Sequence, residues 1–430
     1  MEKRKNLTVV FYYKSTSTYA LNVLLGALEL APLINHAEII CVSKSGDIIP
    51  VLKRSLEQGR KILVLWSFYS PEFSKISSDL SIIKKNVMHS DVVHLAGGVH
   101  STAEPEETLA AGFDYVAMGE GEKIITNFAS AFLNGEDPSH VKGISSLDGE
   151  GRMISNGYGE RIDLNEFPPF AEKHRKFNPI EITRGCIYAC KFCQTPFMFK
   201  ARFRHRSIEN VCHYVQVMKD HGLNDIRFIT PTALSYGSSD ESVNIDKIEE
   251  LLSSVRRMLG NKGRIFFGTF PSEVRPEHVS PKVLRILKSY VANDNIIIGG
   301  QAGSQTLLDT SKRGHSVQSI IDAVKLSVEF GFIPNVDFIF GLPGETVADV
   351  KQSLELAEKL IDMGARIHGH TFMPLPGTPF KDAPPGKIGT ATLRRLKRLE
   401  SRGKLYGNWN QQRSIALSLA ETRRSRRSHT

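Results

Sequence analysis

Short apolar runs of β-prone residues alternate with amphipathic helical stretches twice along this chain of 430 residues. In the first series the predicted strands are Leu7–Tyr13, Ala37–Ser43, Lys61–Phe68, Asp91–Gly97 and Tyr115–Gly119. Continuous apolar strands that alternate with helices indicate a parallel sheet covered on both faces. The first part of the chain is therefore predicted to be an α/β domain with a doubly wound, flavodoxin- or Rossmann-like sheet.

The second series contains six predicted strands with helical stretches between them. They are Ile180–Thr183, Asp225–Ile229, Arg264–Thr269, Asn295–Gly299, Asn335–Phe340 and Arg366–Phe372. This pattern predicts a full or partial (β/α) barrel, whose chemistry lies at the carboxyl ends of the strands.

Composition shifts give the domain boundaries that we expect. The first domain covers residues 1–140, and the barrel covers residues 178–385. Residues 141–177, between them, are predicted to be a linker, because this segment is rich in turn residues and contains the paired prolines of DLNEFPPF. Residues 386–430 are predicted to be a basic helical extension and tail.

The positive charge of the chain is concentrated at one end. The formal net charge is +9, yet the stretch 387–430 has 12 basic and 2 acidic residues. A nucleic acid or another acidic partner could bind this tail. No apolar run approaches the roughly 20 residues that span a bilayer, and the start lacks a signal core. We therefore expect a cytoplasmic protein without a transmembrane segment.

Three cysteines stand close together directly after the first predicted barrel strand. Cys186, Cys190 and Cys193 form the sequence CIYACKFC, a CxxxCxxC spacing. Thiolates select zinc or iron–sulfur clusters, but structural zinc normally takes four ligands, and no second Cys/His pair lies nearby. Three cysteines hold three irons of a 4Fe-4S cluster and leave the fourth iron open. We expect such a cluster; buried cysteines without a ligand are the alternative.

The triplet and four later segments together resemble the radical S-adenosylmethionine (radical SAM) enzymes. Phe192 precedes the last cysteine, as in that family, and the similarity extends over about residues 178–385. The four later segments are IGGQAGS at 298–304, KRGH at 312–315, FGLPGET at 340–346 and FMPLPGTP at 372–379. The resemblance implies that the open iron binds S-adenosylmethionine. A reduced cluster then cleaves it to a 5′-deoxyadenosyl radical.

The resemblance also suggests which residues bind S-adenosylmethionine. They are Phe192, Thr230, Thr232, Ser272, Glu273, Gln301, Gly303 and Pro374. The family often has a Gly-Gly-Glu-like segment after the second strand, whereas this chain has Thr-Pro-Thr-Ala at 230–233, without a carboxylate. Backbone carbonyls or the two threonine hydroxyls would have to replace it.

The loops after the strands of the first domain contain paired glycines, which let the backbone approach a large flat ligand closely. Glycines that merely end strands are the alternative. The segments AGGVH at 96–100 and GEGE at 119–122 resemble those of the cobalamin-binding domain that precedes many radical SAM barrels. This resemblance suggests a cobalamin site formed by Ser67, Gly97, Gly98, His100, Gly119, Glu120 and Gly121. The loop at 14–17 lacks the cobalt-binding histidine of that fold, and we expect His94 to be a core residue.

These resemblances favour a cobalamin-dependent radical methyltransferase that acts on an unactivated carbon. Alternatives are a radical rearrangement, cyclisation or methylthiolation, a first domain that binds nothing, and a non-enzymatic cluster and corrinoid sensor. An enzyme of this kind needs an electron donor such as ferredoxin or flavodoxin. His368, His370 and Tyr236 are candidate proton donors, and Cys212 is expected in a helix core. The sequence does not identify the substrate.

Overall fold

The computed structural model describes the backbone of residues 5–427 and the side chains of residues 5–421. The chain folds as two compact units, Met1–Asn178 and Pro179–Thr430. Within the described residues, no helix is long and apolar enough to cross a membrane.

From residue 5 onwards, where the structure describes it, the first unit contains seven strands and six α-helices. The strands are β1 (Leu7–Tyr12), β2 (Ala37–Val42), β3 (Lys61–Ser67), β4 (Val92–Gly97), β5 (Tyr115–Ala117), β6 (Ile144–Leu147) and β7 (Met153–Ser155). The helices are α1 (Thr18–Leu30), α2 (Ser45–Glu57), α3 (Phe73–Asn86), α4 (Gly98–Ala103), α5 (Pro105–Ala110) and α6 (Gly121–Asn134).

The seven strands form one sheet in the order β2-β1-β3-β4-β5-β6-β7. The first five are parallel, and their order is the flavodoxin-like one. β6 and β7 are antiparallel additions. They lie inside segment 141–177, so the expectation of a linker is wrong for this stretch. Its turn residues form a hairpin, in which Asp148 N donates to Arg152 O at 2.8 Å.

Apolar side chains cover both faces of this sheet. Alternate residues of one strand point to opposite faces, and in β1 Val10 joins one buried core while Val9 and Phe11 join the other. The first core packs beneath α2 and α3, and the second packs beneath α1 and α6. This arrangement confirms the doubly wound fold predicted from the continuous apolar strands.

Up to residue 427, the end of its described backbone, the second unit contains nine strands and nine α-helices. The strands are β8 (Ile180–Glu181), β9 (Thr183–Arg184), β10 (Arg204–His205), β11 (Asp225–Ile229), β12 (Arg264–Phe266), β13 (Asn295–Gln301), β14 (Ile333–Phe340), β15 (Arg366–Thr371) and β16 (Leu405–Tyr406). The helices are α7 (Thr195–Met198), α8 (Ile208–Asp220), α9 (Ile245–Leu259), α10 (Pro281–Tyr290), α11 (Gln305–Thr310), α12 (Val317–Glu329), α13 (Val347–Asp362), α14 (Thr390–Ser401) and α15 (Trp409–Arg427).

Parallel strands of this unit form a partial barrel. One sheet has the order β8-β11-β12, and another has the order β13-β14-β15-β16. Isolated parallel bridges join the two sheets, from Thr230 to Ser272 and from Val274 to Ile298. All six predicted strands are present, which confirms a partial (β/α) barrel. The predicted C-terminal extension contains α14, β16 and α15; the side chains of the basic run at 423–427 and all of residues 428–430 lie outside the described part.

Candidate functional site

The three clustered cysteines lie in the loop that follows β9, at the carboxyl end of the first barrel strand. Gly185 opens this loop with a φ of +81°, in the left-handed region that favours glycine. A Cβ atom at this position would overlap the carbonyl oxygen of Arg202. The direction in which the cysteine loop leaves the strand therefore depends on a glycine.

The thiols of this loop form one group. None is in a disulfide; Cys190 is buried, and Cys186 and Cys193 are half-buried. They pack with Tyr188 and Phe203 in a small cluster that also includes Phe192. The pKa of Cys186 is raised to about 12, mainly by burial and to a smaller extent by the neighbouring Cys190 and Cys193. Because ionised thiols in this group repel each other, a bound cation would stabilise them, and the donor set therefore fits an iron–sulfur cluster.

Backbone and side-chain contacts attach the cysteine loop to two of the later motifs. Lys191 N donates to Ser311 O at 3.0 Å, beside segment 312–315. Gln194 Nε2 donates to Pro376 O at 2.7 Å, within segment 372–379 that also contains the buried Pro374. These two motifs, which are far from the cysteines in sequence, therefore contact the same loop.

Arg313 links the cysteines to a polar group inside the barrel. Its Nη1 donates to Cys190 Sγ at 3.3 Å, and its Nη2 donates to Gly299 O at 2.6 Å. A Cβ atom on Gly299 would lie 2.9 Å from Arg313 Nη2, 3.1 Å from Gln301 Nε2 and 3.4 Å from Glu273 Oε2. The missing side chain of Gly299 thus leaves room for three polar groups, two of which the sequence predicted. Arg313 lies in the KRGH segment at 312–315, which the sequence predicted to be part of the barrel motifs but not of the site.

Glu273 has a partly exposed side chain close to other charged groups. Its side chain keeps an exposed surface, yet the protein packed around it raises its pKa above the ordinary value, with a further rise from the charge of Asp337. The Arg313 charge acts in the opposite direction. Glu273 is therefore held close to a second carboxyl and a guanidinium.

The other predicted S-adenosylmethionine residues have mainly local partners. Thr230 Oγ1 donates to Thr232 O at 3.0 Å, and Ser272 Oγ donates to Thr269 O at 3.0 Å. Thr232 Oγ1 is buried and has no hydrogen-bond partner among the described residues, so it is available to a ligand. At Gly303, a Cβ atom would lie 2.6 Å from Ser353 Cα, so this glycine allows close packing on α13.

An aspartate and two histidines meet on β14 and β15. His368 Nδ1 lies 2.7 Å from Asp337 Oδ1, because the two residues are paired in the parallel register. His370 Nε2 lies 3.2 Å from His368 Nδ1 and 3.7 Å from Asp337 Oδ1. Sequence reasoning named both histidines but missed Asp337. Tyr236, also named there, is buried and donates to Arg206 O at 2.8 Å, which is a packing role.

In the first unit, five of the predicted cobalamin residues are half-buried at the carboxyl edge of the sheet. Ser67 and Gly97 are the last residues of β3 and β4, Gly98 follows β4, and Gly119 and Gly121 follow β5. Gly98 has a φ of +89°, and a Cβ atom there would lie 2.9 Å from Ser67 Oγ. The loops after β3 and β4 therefore come close enough together to require a glycine.

The two remaining predicted residues are buried beneath that edge. His100 Nδ1 lies 3.0 Å from Ser70 Oγ, and its ring stacks on Phe73 with centroids 4.3 Å apart. Glu120 Oε2 accepts a hydrogen bond from Ile162 N at 3.4 Å. These contacts give His100 and Glu120 supporting positions within the unit.

Comparisons with known proteins agree with this architecture. Residues 180–357 match the family model described as the Radical SAM superfamily. A Methanocaldococcus jannaschii protein, provisionally named a methylthiotransferase, is 28% identical over 67% of this chain and 62% of its own length. An uncharacterized methyltransferase of Pyrococcus horikoshii is 27% identical over 65% of this chain and 60% of its own length. The chain thus spans about three fifths of the length of these curated relatives.

A solved structure extends the similarity to both units. The radical S-adenosylmethionine methyltransferase TsrM from Kitasatospora setae, solved with cobalamin and a [4Fe-4S] cluster bound, superposes with a TM-score of 0.66. Sequence identity is 18%, and the match covers 88% of this chain and 77% of TsrM. At this identity the likeness establishes the fold: a doubly wound α/β unit followed by a partial barrel.

Proposed function

We propose that this chain, which has a radical SAM domain at residues 180–357, is a cobalamin-dependent radical S-adenosylmethionine methyltransferase. Its substrate would be methylated at an unactivated carbon. The observation that carries the proposal is the loop with Cys186, Cys190 and Cys193, which offers three free thiols to a metal cluster. Three ligands leave one iron of a 4Fe-4S cluster open, and an open position is a requirement of chemistry rather than of structure.

The cofactors of this proposal supply the difficult chemistry: an electron that cleaves S-adenosylmethionine, and a corrinoid that carries the methyl group. The protein binds and positions them. Arg313 donates to the Cys190 sulfur from a buried position, which stabilises negative charge on that ligand. Hydrogen bonds to cluster sulfurs also tune the reduction potential of a cluster.

Polar groups beside the cysteine loop would bind S-adenosylmethionine. Glu273 and Gln301 converge with Arg313 around Gly299, and Thr232 Oγ1 is an unsatisfied buried hydroxyl. The segment 230–233, directly after β11, contains no carboxylate. The loop that contains Glu273 lies beside this segment, because Ala233 N donates to the backbone oxygen of Glu273 at 2.7 Å. Glu273 is therefore the carboxyl group that this proposal assigns to the cofactor.

Cobalamin would bind at the carboxyl edge of the first unit, against Ser67, Gly97, Gly98, Gly119 and Gly121. The close approach of Gly98 to Ser67 brings backbone to the surface of that edge. The loop at 14–17 contains no histidine, and His100 is held by Ser70 and Phe73. The site therefore fits a corrinoid whose cobalt has no histidine ligand from that loop. TsrM, solved with cobalamin, supports this assignment through its similar fold.

Two alternative reactions keep the radical chemistry. A rearrangement or cyclisation would use the same cofactors without net methyl transfer. Methylthiolation is favoured by the name of the Methanocaldococcus jannaschii relative, but outside the triplet this chain has only Cys41, on β2, and Cys212, on α8. Two cysteines on separate elements do not form a second cluster loop.

The proposed function also implies an electron donor and an acidic partner. A reduced ferredoxin or flavodoxin would supply the electron, and the basic tail would bind an acidic partner such as nucleic acid. A cytoplasmic location agrees with both, because low-potential electron carriers of this type are soluble.

The test is anaerobic reconstitution with iron, sulfide and cobalamin, followed by incubation with reductant and S-adenosylmethionine that has a deuterated methyl group. We expect an iron–sulfur absorption band and bound corrinoid. The expected products are 5′-deoxyadenosine and S-adenosylhomocysteine, with the label transferred to the corrinoid. Replacement of all three loop cysteines by alanine should abolish 5′-deoxyadenosine. Cys212→Ala is the matched control and should leave it unchanged.

The two products separate the competing functions. Formation of 5′-deoxyadenosine without S-adenosylhomocysteine, in protein with bound corrinoid, would exclude a methyltransferase and favour a radical rearrangement or cyclisation. If the cofactors bind and neither product forms, the remaining hypothesis is a non-enzymatic cluster and corrinoid sensor.

A further inference from the structure

The inner side of β15 presents two histidines to the barrel. On this strand, a Cβ atom of Gly369 would lie 3.4 Å from Trp409 Cδ1 of α15, so Gly369 faces the outer helix. Neighbouring residues of a strand point to the opposite side, so His368 and His370 face inward. Their side chains are 29% and 28% exposed, whereas that of Asp337 is 4% exposed. The two partly exposed histidines therefore lie on the inner side of the barrel, around the buried carboxylate of Asp337.

Hydrogen bonds fix the tautomer of His370. Thr371 N can only donate, and it lies 2.9 Å from Gln412 Oε1, so the Gln412 amide has one possible orientation. Gln412 Nε2 therefore donates to His370 Nδ1, at 3.3 Å. A neutral His370 must then carry its proton on Nε2, the nitrogen that faces Asp337.

The same reasoning fixes His368. Burial favours the neutral form of Asp337, but hydrogen bonds from His368 and His370 outweigh this effect and hold its pKa below the usual range. An ionised Asp337 only accepts, so the 2.7 Å contact places a proton on His368 Nδ1. His368 Nε2 then has a free lone pair, and it makes no hydrogen bond to any described residue.

We propose that Asp337 and His368 are a general-base pair, in which His368 Nε2 takes a proton from an O–H or N–H group of the substrate. His370 Nε2–H cannot donate to the protonated His368 Nδ1, 3.2 Å away, so it is directed towards Asp337 Oδ1 at 3.7 Å, and His370 is a positioning residue. The inference rests on the proposed function and narrows its substrate to molecules with such a group beside the reacting carbon. The O–H or N–H bond breaks, its electron pair stays on the heteroatom, and the proton forms an imidazolium that Asp337 stabilises.

Other groups around the pair agree with this role. Glu273, with its raised pKa, faces Asp337 and Arg313. The Tyr406 ring stacks on His368 with centroids 4.6 Å apart and an interplanar angle of 9°. These contacts hold the imidazole in one orientation, which a general base requires.

A metal ion is the competing explanation of the same cluster. The ligand atoms of Asp337, His368 and His370 all lie within 4.8 Å of one another. Metal coordination needs an unprotonated nitrogen, however, and the Gln412 amide places the proton on His370 Nε2. The observations therefore favour proton transfer.

The first test measures the reactivity of each histidine in the reconstituted full-length protein with diethyl pyrocarbonate, which acylates unprotonated, accessible imidazole nitrogen. Modified residues are identified by peptide mass mapping. We expect His368 to react several-fold faster than His370, and Asp337→Asn to slow His368 while leaving the exposed His213 unchanged. Equal rates at the two β15 histidines, or no effect of the substitution, would overturn the proposal.

A second measurement needs no Asp337 variant and so does not depend on its folding. Nitrogen-15 NMR of histidine-labelled protein should show His368 with an unprotonated Nε2, assigned by the loss of this signal in His368→Gln. A protonated Nε2, or a divalent metal in addition to the cluster iron that is lost in His368→Gln, would refute the base. Neither readout requires turnover, so a negative result here is distinct from a failure to cleave S-adenosylmethionine.

Discussion

Acid should weaken the first unit through one buried histidine. His94 on β4 is 1% exposed, and Trp66 Nε1 donates to its Nδ1 at 3.2 Å. This bond and the apolar surroundings favour the neutral ring. Burial lowers the pKa of His94 from 6.5 to about 4; the charge of Asp114 opposes this change, and that of Lys84 adds to it. Protonation therefore breaks a buried hydrogen bond and places a charge in the buried interior of the first unit.

The size of this effect follows from the two pKa values. A group whose pKa is lower in the folded state binds fewer protons when folded, so its contribution is complete above pH 6.5 and is lost as the pH falls towards 4. At about 1.36 kcal/mol per pKa unit, the full loss is about 3 kcal/mol. At pH 5 the loss is already about 2 kcal/mol by the same relation.

Tryptophan fluorescence can isolate this unit, because the chain has only Trp66 and Trp409. In a Trp409→Phe background, urea unfolding followed by Trp66 fluorescence reports the first unit. We expect the free energy of unfolding to fall by about 2 kcal/mol more between pH 7.5 and pH 5 than in the same protein with His94→Gln. The glutamine side chain of this variant can still accept from Trp66 but does not titrate.

The control is His89→Gln, because His89 is a half-exposed histidine of the same unit. It should retain the full pH dependence. Parallel pH curves for the proteins with and without His94 would refute the reasoning, since the acid sensitivity would then come from other groups.

Three further substitutions test individual contacts. Gly185→Ala places a Cβ against the Arg202 carbonyl at a φ of +81°, and it should lower the iron content per chain after reconstitution. For Glu273, a pKa raised from 4.5 to about 8 means that its contribution is present below pH 4.5 and lost as the pH rises towards 8. The melting temperature of wild type relative to Glu273→Gln should therefore fall over that range. Thr346→Ala removes the cap of α13, where Thr346 Oγ1 accepts from Asp349 N at 3.2 Å. It should cost about 1 kcal/mol of stability by thermal unfolding.

Local apolar pattern was enough to find the parallel strands of both units except the two-residue β16, which lies in the segment predicted as a helical extension. β11 has the predicted bounds, and β1 differs by one residue, because buried parallel strands are continuous apolar runs. β6 and β7 were missed for the converse reason. They are short strands at one edge of the sheet, and the serines at 145, 146 and 155 break the apolar pattern.

The cysteine loop was predictable as a candidate metal site because its three cysteines lie within eight residues. Arg313 was harder to assign, because its contact with Cys190 spans 123 residues and depends on the barrel closing. His100 illustrates the opposite problem. Its position after a strand suggested a ligand-facing residue, but stacking on Phe73 and a bond to Ser70 direct the ring into the unit.

The sequence does contain a pattern that could have identified Asp337. This pattern is a charged residue in a strand that is expected to be buried, and it belongs to no family motif. Asp337 is the only charged residue in the apolar strand IPNVDFIF, and a buried charge is costly unless a partner satisfies it. In a parallel barrel the partner must come from an adjacent strand at the same height, and RIHGHT is the following strand, with histidines two residues apart on one face. A lone acid in one apolar strand and alternating histidines in the next are therefore a pattern that predicts an inward-facing pair. The strand register then decides which histidine is bonded: it pairs Asp337 with His368, so that His368 Nδ1 donates to the Asp337 carboxylate.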